Sequence, residues 1–167
     1  MSQGETIILT HKEIAHKIRR IAYQVYETNV GETEVVIAGI KTNGFILAKK
    51  LKKEVEKISD LKVTLCEVII DKKQPTNEIK TSIPAESYSN KSLLLVDDVL
   101  HSGTTLIYGV KHFLNVPLRQ FKTAVLVDRN HKKYPIKADF KGISLSTSIN
   151  ENVAVIFEKQ KAKAILE

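Results

Sequence analysis

The sequence predicts an α/β fold with a central, mainly parallel twisted sheet flanked by helices. Three observations carry that expectation. Stretches rich in β-branched and aliphatic residues alternate with stretches of helical period, the pattern of strand–helix–strand units with right-handed connections. The run Leu93-Leu94-Leu95-Val96 is apolar at every position, as a strand covered on both faces must be. Soon after it, Leu106 to Leu114 takes up amphipathic helical spacing.

The elements follow in order. Thr10-His11-Lys12-Glu13 is a capping-box pattern, and Ile14, Ile18, Ile21, Ala22 and Val25 recur at helical spacing, predicting a first helix from His11 to Asn29 with Gly31 closing it. Glu34 to Ala38 reads as a short β-branched strand, Gly39 to Gly44 as a turn, and Phe45, Ala48, Leu51 and Val55 as the buried face of a second helix. Leu61 to Ile70 reads as a strand. Residues 71–90 are polar, contain Pro75 and Pro84 and show no sustained period; so long a connection is either disordered or a lid, and its place just before the apolar strand favours a lid over a linker. Strand Leu93 to Asp97, helix Thr104 to Leu114 and strand Phe121 to Val127 come next. Lys137 to Ser146 and Val153 to Phe157 read as further strands forming a small cap.

Composition fits one domain spanning residues 1–167, with 43% hydrophobic residues to fill a core. The lone Cys66 excludes an intramolecular disulfide, no apolar stretch is long enough to cross a bilayer, and Met1-Ser2-Gln3-Gly4-Glu5 lacks the features of a signal peptide, so a cytoplasmic location is expected. The net charge of +7 suits a polyanionic ligand and would equally suit RNA or DNA. Much of it comes from Lys49, Lys50, Lys52, Lys53 and Lys57 on one helix and from the tail around Lys159 to Lys163, which are most simply solvated faces. There is no internal repeat and no metal-ligand spacing of His or Cys; His11, His16 and His112 read as surface or packing residues, and Cys66 as core.

The segment Asp97-Asp98-Val99-Leu100-His101-Ser102-Gly103-Thr104-Thr105 carries the chemistry. Two adjacent carboxylates at the carboxyl end of a strand lie where open α/β sheets place ligands, and acceptor-only groups suit sugar hydroxyls. After them, Gly103 permits a tight turn, while Ser102, Thr104, Thr105 and the amides at a helix N-terminus can all donate to a phosphate. The plainer alternative is a strand-to-helix turn with an N-cap.

This segment resembles the phosphoribosyl pyrophosphate (PRPP) motif of type I phosphoribosyltransferases. The resemblance implies that fold, with a small hood and a flexible lid at about residues 71–90. It implies that Asp97 and Asp98 hold the ribose hydroxyls and that His101 to Thr105 surround the 5′-phosphate. Val36 to Gly44 is similar to the pyrophosphate loop of these enzymes, with Ile40, Lys41 and Thr42 at the ligand and a non-proline cis peptide expected between Ile40 and Lys41. Leu126 to Gly142, followed by Ser146-Thr147-Ser148 and Glu151 to Val155, closely resembles the base-recognition and hood region of the pyrimidine operon attenuator/uracil phosphoribosyltransferase family. That likeness puts the base beside Val127, Asp128 and Arg129, although Arg129 reads equally as an ion-pair partner of Asp128.

The implied reaction joins uracil and PRPP to give uridine monophosphate (UMP) and pyrophosphate, in pyrimidine salvage. Mg²⁺ is the implied cofactor, met by Asp97 and Asp98 indirectly through PRPP. The alternatives are a uridine-nucleotide-sensing, RNA-binding regulator of pyrimidine genes and a purine phosphoribosyltransferase. Family members associate, so a homodimer or higher homo-oligomer is expected. Several positions depart from the family pattern. His101 stands where a small, acidic or tyrosyl residue is usual, either as a general base or as a packing residue, and Thr104 stands in place of Arg. The lid has Lys72 and Lys73 where arginine is expected. Arg19 and Tyr23 occupy the places of the family's Thr and His RNA contacts, leaving Arg19, Arg20 and His131 as candidate RNA contacts.

Overall fold

A computed structural model describes residues 5–146 and 151–167; Met1 to Gly4, Thr147 and Ser148 lie outside them. Six strands form the main sheet in the order β4-β3-β2-β5-β6-β7: β2 (Glu34–Ile40), β3 (Lys62–Ile69), β4 (Lys80–Thr81), β5 (Ser92–Leu100), β6 (Gln120–Asp128) and β7 (Phe140–Ser144). All neighbours run parallel except β4, which is antiparallel to β3. The helices are α1 (His11–Thr28), α2 (Asn43–Ile58) and α3 (Thr104–Phe113).

Strand alternation sends side chains into two cores. Val35 and Ile37 of β2, Leu94 and Val96 of β5, and Ala124 and Leu126 of β6 pack with Ile14, Ile21 and Val25 of α1 and Leu47, Leu51 and Val55 of α2. Their sequence neighbours Val36, Ala38, Ile40, Leu93, Leu95 and Val125 pack on the opposite face with Leu106 and Phe113 of α3. Burial on both faces explains why β5 is apolar without interruption from Leu93 to Val96.

A second, antiparallel sheet of order β1-β9-β8 is built from β1 (Thr6–Leu9), β9 (Lys163–Leu166) and β8 (Val153–Ile156). Leu9, Val153, Val155, Ala162 and Ala164 join the core on the α1/α2 side. The backbone amide of Ala162 donates to His11 Nδ1 at 3.0 Å.

Several expectations are corrected. The segment 137–146 does not belong to the cap: Phe140–Ser144 extends the main sheet parallel to β6, with Phe140 inward and Gly142 so close to Leu126 that a Cβ would run into its carbonyl. Residues 71–90 are not loop throughout. Lys80–Thr81 pairs with β3, residues 85–87 form a 3₁₀ turn, and Tyr88 is buried edge-on against Phe113 with ring centroids 5.0 Å apart. The expected strand Glu34 to Ala38 continues to Ile40, and β5 continues past Asp97 to Leu100. Helix α1 has the full capping box at Thr10 and Glu13, but it ends at Asn29, whose amide donates to Tyr26 O at 3.0 Å, before Gly31 is reached.

Gly39 lets the end of β2 touch the start of α2. A Cβ there would lie 2.5 Å from both Gly44 O and Phe45 Cα, which are backbone atoms that cannot swing aside. Gly39→Ala is expected to cost about 2–3 kcal/mol through overpacking, read as a lower midpoint in urea with an unchanged slope.

Candidate functional site

The connections set the place of the site. From β2 the chain crosses through α2 to β3 on one side; from β5 it crosses through α3 to β6 on the other, with α2 and α3 on opposite faces. The carboxyl ends of β2 and β5 therefore flank a topological switch point. Pairing between them stops at Gly39↔Val96, whereas β5 and β6 stay in register to Leu100↔Asp128. The strand edge beyond Val96 faces open space on the β2 side.

Two cavities fill that space. One, of about 180 Å³, is lined by Lys72, Asp97, Asp98 and residues 99–106, with Val125 behind them. The other, of about 390 Å³, is lined by Lys41, Thr42, Asn43, Ile69, Ile70, Lys72 and Asp98. Because Asp98 and Lys72 belong to both, the two make one cleft.

Both helices that open on the cleft start without a side-chain cap, in contrast to α1. Their first amides, together with the macrodipole, favour an anion. At the head of α3, Gly103 takes φ 88°, and a Cβ there would meet Ile136, so both conformation and space demand glycine. The Ser102 and Thr104 hydroxyls are 2.8 Å apart, and Ser102 Oγ accepts from the Thr104 amide at 3.3 Å. Ser102 O accepts from the amides of Lys133 and Tyr134 at 2.7 and 3.1 Å, which ties the segment after β6 down onto this loop.

The two carboxylates are not equivalent. Asp97 is 6% exposed, and its Oδ1 accepts the Asp98 amide at 2.9 Å. Burial, reinforced by the neighbouring Asp98 charge, pushes its carboxyl well above the usual range. Half-buried Asp98 accepts the Val99 amide at 2.9 Å through Oδ1 and Asn43 Nδ2 at 3.1 Å through Oδ2. Asn43 Nδ2 also donates to Val155 O of β8 at 2.8 Å, joining the small sheet to the cleft.

The cis peptide lies between Lys41 and Thr42, one residue later than the expected Ile40–Lys41 bond. The Lys41 amide still donates to Val68 O at 2.9 Å, so the sheet ladder holds Lys41 and the turn begins after it.

The proposed base residues stand behind the cleft wall. Val127 and Asp128 are buried; the Asp128 carbonyl accepts from Leu145 at 2.8 Å and the Arg129 amide donates to Leu100 O at 3.2 Å. Asp128 Oδ2 has Lys132 and Lys141 Nζ at 3.8 Å each. Arg129, 8% exposed, places its Nη1 3.1 Å from Nδ1 of His101, which lines the cleft. Of the lid lysines, Lys72 lines the cleft and Lys73 does not. Arg20 donates to the carbonyls of Lys141 and Gly142 at 2.7 and 2.6 Å, a structural link from α1 to β7, and the Arg19 guanidinium lies 6.0 Å from the Tyr23 ring centroid. Cleft-lining residues not named as site residues from the sequence include Asn43, Ile69, Ile70, Val99, Leu100, Leu106 and Val125; of these Asn43 carried a signal, as the polar residue opening α2.

A cleft that offers uncapped helix ends, hydroxyls and one accessible carboxylate can hold an anionic sugar. The phosphoribosyl transferase domain matches residues 4–159. The chain belongs to that family. It is similar to "Bifunctional protein PyrR" of Bacillus subtilis, 35% identical over 90% of this chain and 89% of that one, and to its namesake in Macrococcus caseolyticus, 30% identical over 92% of each. Among solved structures, a hypoxanthine phosphoribosyltransferase of Trypanosoma cruzi superposes with a TM-score of 0.80 over 97% of both chains at 18% identity. A hypoxanthine-guanine phosphoribosyltransferase of Bacillus anthracis gives 0.71, covering 85% of this chain and 83% of that one at 20% identity. These two likenesses show the type I phosphoribosyltransferase fold. No helix among the described residues is long and apolar enough to cross a membrane.

The raised Asp97 carboxyl makes a stability prediction. The native state binds its proton more tightly than the unfolded chain, so this group's contribution to stability falls as pH rises above its ordinary value of 3.8 and levels off above the native value. Asp97→Asn removes that dependence. Its melting temperature is expected to match wild type in acid and to exceed it increasingly toward neutral pH, by roughly 2–4 °C for each kcal/mol regained. Thermal denaturation from acid to neutral pH checks it; a gap that does not grow refutes the assignment.

Proposed function

We propose that the protein is a uracil phosphoribosyltransferase that converts uracil and PRPP into UMP and pyrophosphate in pyrimidine salvage. One observation carries the reading: Asp98, the 102–105 loop and the 41–43 loop line one continuous cleft. That order matches the order of groups in PRPP. The 5′-phosphate lies in the cradle of Ser102, Gly103, Thr104 and Thr105 at the head of α3. Asp97 and Asp98 face the ribose, and the pyrophosphate lies against Ile40, Lys41 and Thr42 at the head of α2. Uracil enters beside His101, with Val127, Asp128 and Arg129 behind it. The resemblance of Leu126 to Gly142 to the base-recognition region of the attenuator/uracil phosphoribosyltransferase family supports uracil over a purine base.

Uracil attacks C1′ through N1 as the bond to pyrophosphate breaks, and the N1 proton passes to the departing pyrophosphate. Catalysis is positional and electrostatic: the cleft fixes both reactants, and Asp98 stands where positive charge develops on the sugar. Closure of residues 71–79, bringing Lys72 and Lys73 toward the leaving group, excludes water. The residues present fit Mg²⁺ in a limited way. Among the described residues no three acidic, His or Cys side chains gather to hold a metal, but Mg²⁺ ordinarily takes one or two carboxylates together with substrate phosphates and water. Asp98, with Asp97, would meet it through PRPP, and the ion would supply charge neutralisation for the departing pyrophosphate. A cytoplasmic homodimer or higher homo-oligomer completes the reading.

Asp98→Asn is expected to lower kcat/KM for PRPP about a hundredfold, or roughly 2.7 kcal/mol, with the fold retained. The double substitution with Asp97→Asn should abolish transfer. Pyrophosphate release is measured with uracil, hypoxanthine, guanine and orotate offered separately; a wild-type rate in the double variant sinks the ribose assignment, and turnover of a purine alone sinks uracil.

A second reading is RNA-binding regulation of pyrimidine genes, favoured by the PyrR likeness and the net charge of +7. Arg19, Arg20 and His131 are its candidate contacts, with the Arg20 guanidinium already engaged by two carbonyls. It requires tighter binding to pyrimidine leader RNA than to scrambled RNA at physiological salt. Equal, steeply salt-dependent affinities would mean charge attraction alone.

A further inference from the structure

We propose that Arg129 locks His101 as a neutral imidazole protonated on Nε2, and that this Nε2–H is a fixed hydrogen-bond donor to a carbonyl oxygen of the nucleobase. His101 is thereby a specificity-determining residue and not a general base. The choice of ligand rests on the proposed phosphoribosyltransferase reading; the state of the ring does not.

The direction of one hydrogen bond carries the argument. A guanidinium has no acceptor and stays protonated, so across the 3.1 Å between Arg129 Nη1 and His101 Nδ1 the arginine must donate and Nδ1 must present its lone pair. A neutral ring with a bare Nδ1 carries its proton on Nε2. Protonating Nδ1 as well would set N–H against N–H and place a second cation beside a guanidinium that is itself only 8% exposed. The charged groups around the ring agree. Burial and then Arg129, at the end of β6, push the imidazole below its ordinary value; Lys72, after β3, adds to this, and Asp98 on β5 opposes it.

The ring lines the cleft, and with Nδ1 taken by Arg129, the polar atom left on its far side is Nε2. Its only basic nitrogen is thus occupied, so the ring itself has no lone pair with which to take a proton from the base. A fixed donor complements an oxo group, of which uracil has two, and offers nothing to a ring N–H. Sites built around such a bond discriminate strongly, because an analogue without the partner atom leaves a polar group unpaired.

The test uses the whole protein and three probes. Long-range ¹H–¹⁵N correlation spectra, with the His101 signals identified by their loss in His101→Gln, should show the Nε2-protonated tautomer near neutral pH. Arg129→Lys, which keeps a donor, should retain it and Arg129→Met should not. Binding of UMP and of ribose 5-phosphate is then titrated. His101→Leu is expected to weaken UMP about tenfold while leaving ribose 5-phosphate unchanged, and His101→Gln, whose side-chain amide retains an N–H, to recover most of the loss. An Nδ1-protonated ring, equal losses for both ligands, or unchanged UMP binding each overturns the proposal. So does a limb of the pH–kcat profile that His101→Gln removes, which would mark a general base. Failure of the protein to turn over any base would defeat the catalytic reading and still leave the tautomer and UMP results to decide this one.

Discussion

The architecture depends on where pairing between β2 and β5 ends. Up to Gly39↔Val96 the two strands lie side by side, buried on both faces. Beyond that point β2 turns away at Lys41–Thr42 while β5 continues four residues further against β6. A strand that keeps one partner and loses the other exposes an edge, and here the residue opening onto that edge is Asp98. Crossovers of the same right hand that leave the switch point in opposite directions put α2 and α3 on different faces, so their N-termini approach the opening from both sides. A cleft follows from topology before any side chain is considered.

Side chains then tune it toward anions with neutral donors set among the charges of Lys41, Lys72, Asp97 and Asp98. The two helix ends and the hydroxyls of Ser102, Thr104 and Thr105 are neutral donors, and Lys72 is the cation common to both parts of the cleft. Donors of this kind are held by the backbone and need little reorganisation as charge moves during a reaction. The glycines permit it: Gly103 supplies the left-handed turn, and Gly44 lies so near β5 that a Cβ would be 2.7 Å from Val96 O. The cost is concentrated at Asp97, a carboxyl buried beside another carboxyl, where stability is lost to keep the acidic pair.

Much of this was legible in the sequence because it is local. The capping box of α1, the doubly buried β5, the acidic pair and the Gly103 loop each reside in consecutive residues with a period or a conformational demand of their own. What was not legible is non-local. Strands β1 and β9 have four residues each and pair Thr6 with Leu166, ends of the chain that no pattern connects. Phe140–Ser144 looked like cap because its alternation is that of any half-buried strand; only the fit of Gly142 against Leu126 puts it in the main sheet. Within the segment read as a lid, Tyr88 finds its partner Phe113 across the fold, a contact no local pattern signals. In the site, the acids and the cradle come from one run of consecutive residues, whereas the link from Arg129 to His101 spans 28 positions and has no sequence signal.

Asn43 shows how the non-local parts serve the local ones. Its single amide nitrogen donates both to Asp98 Oδ2 and to Val155 O, so one side chain at the head of α2 bridges the acidic pair and the small antiparallel sheet. The small sheet is in turn held by its apolar residues in the α1/α2 core and by the Ala162–His11 bond. The orientation of Asp98 is therefore supported by elements from both chain ends, although no residue of β1 or β9 lines the cleft. A carboxylate on an otherwise open strand edge would be free to rotate toward water. Fixing it through a neutral amide, in place of a cation, orients the oxygen without neutralising the charge that a developing positive centre on the sugar requires.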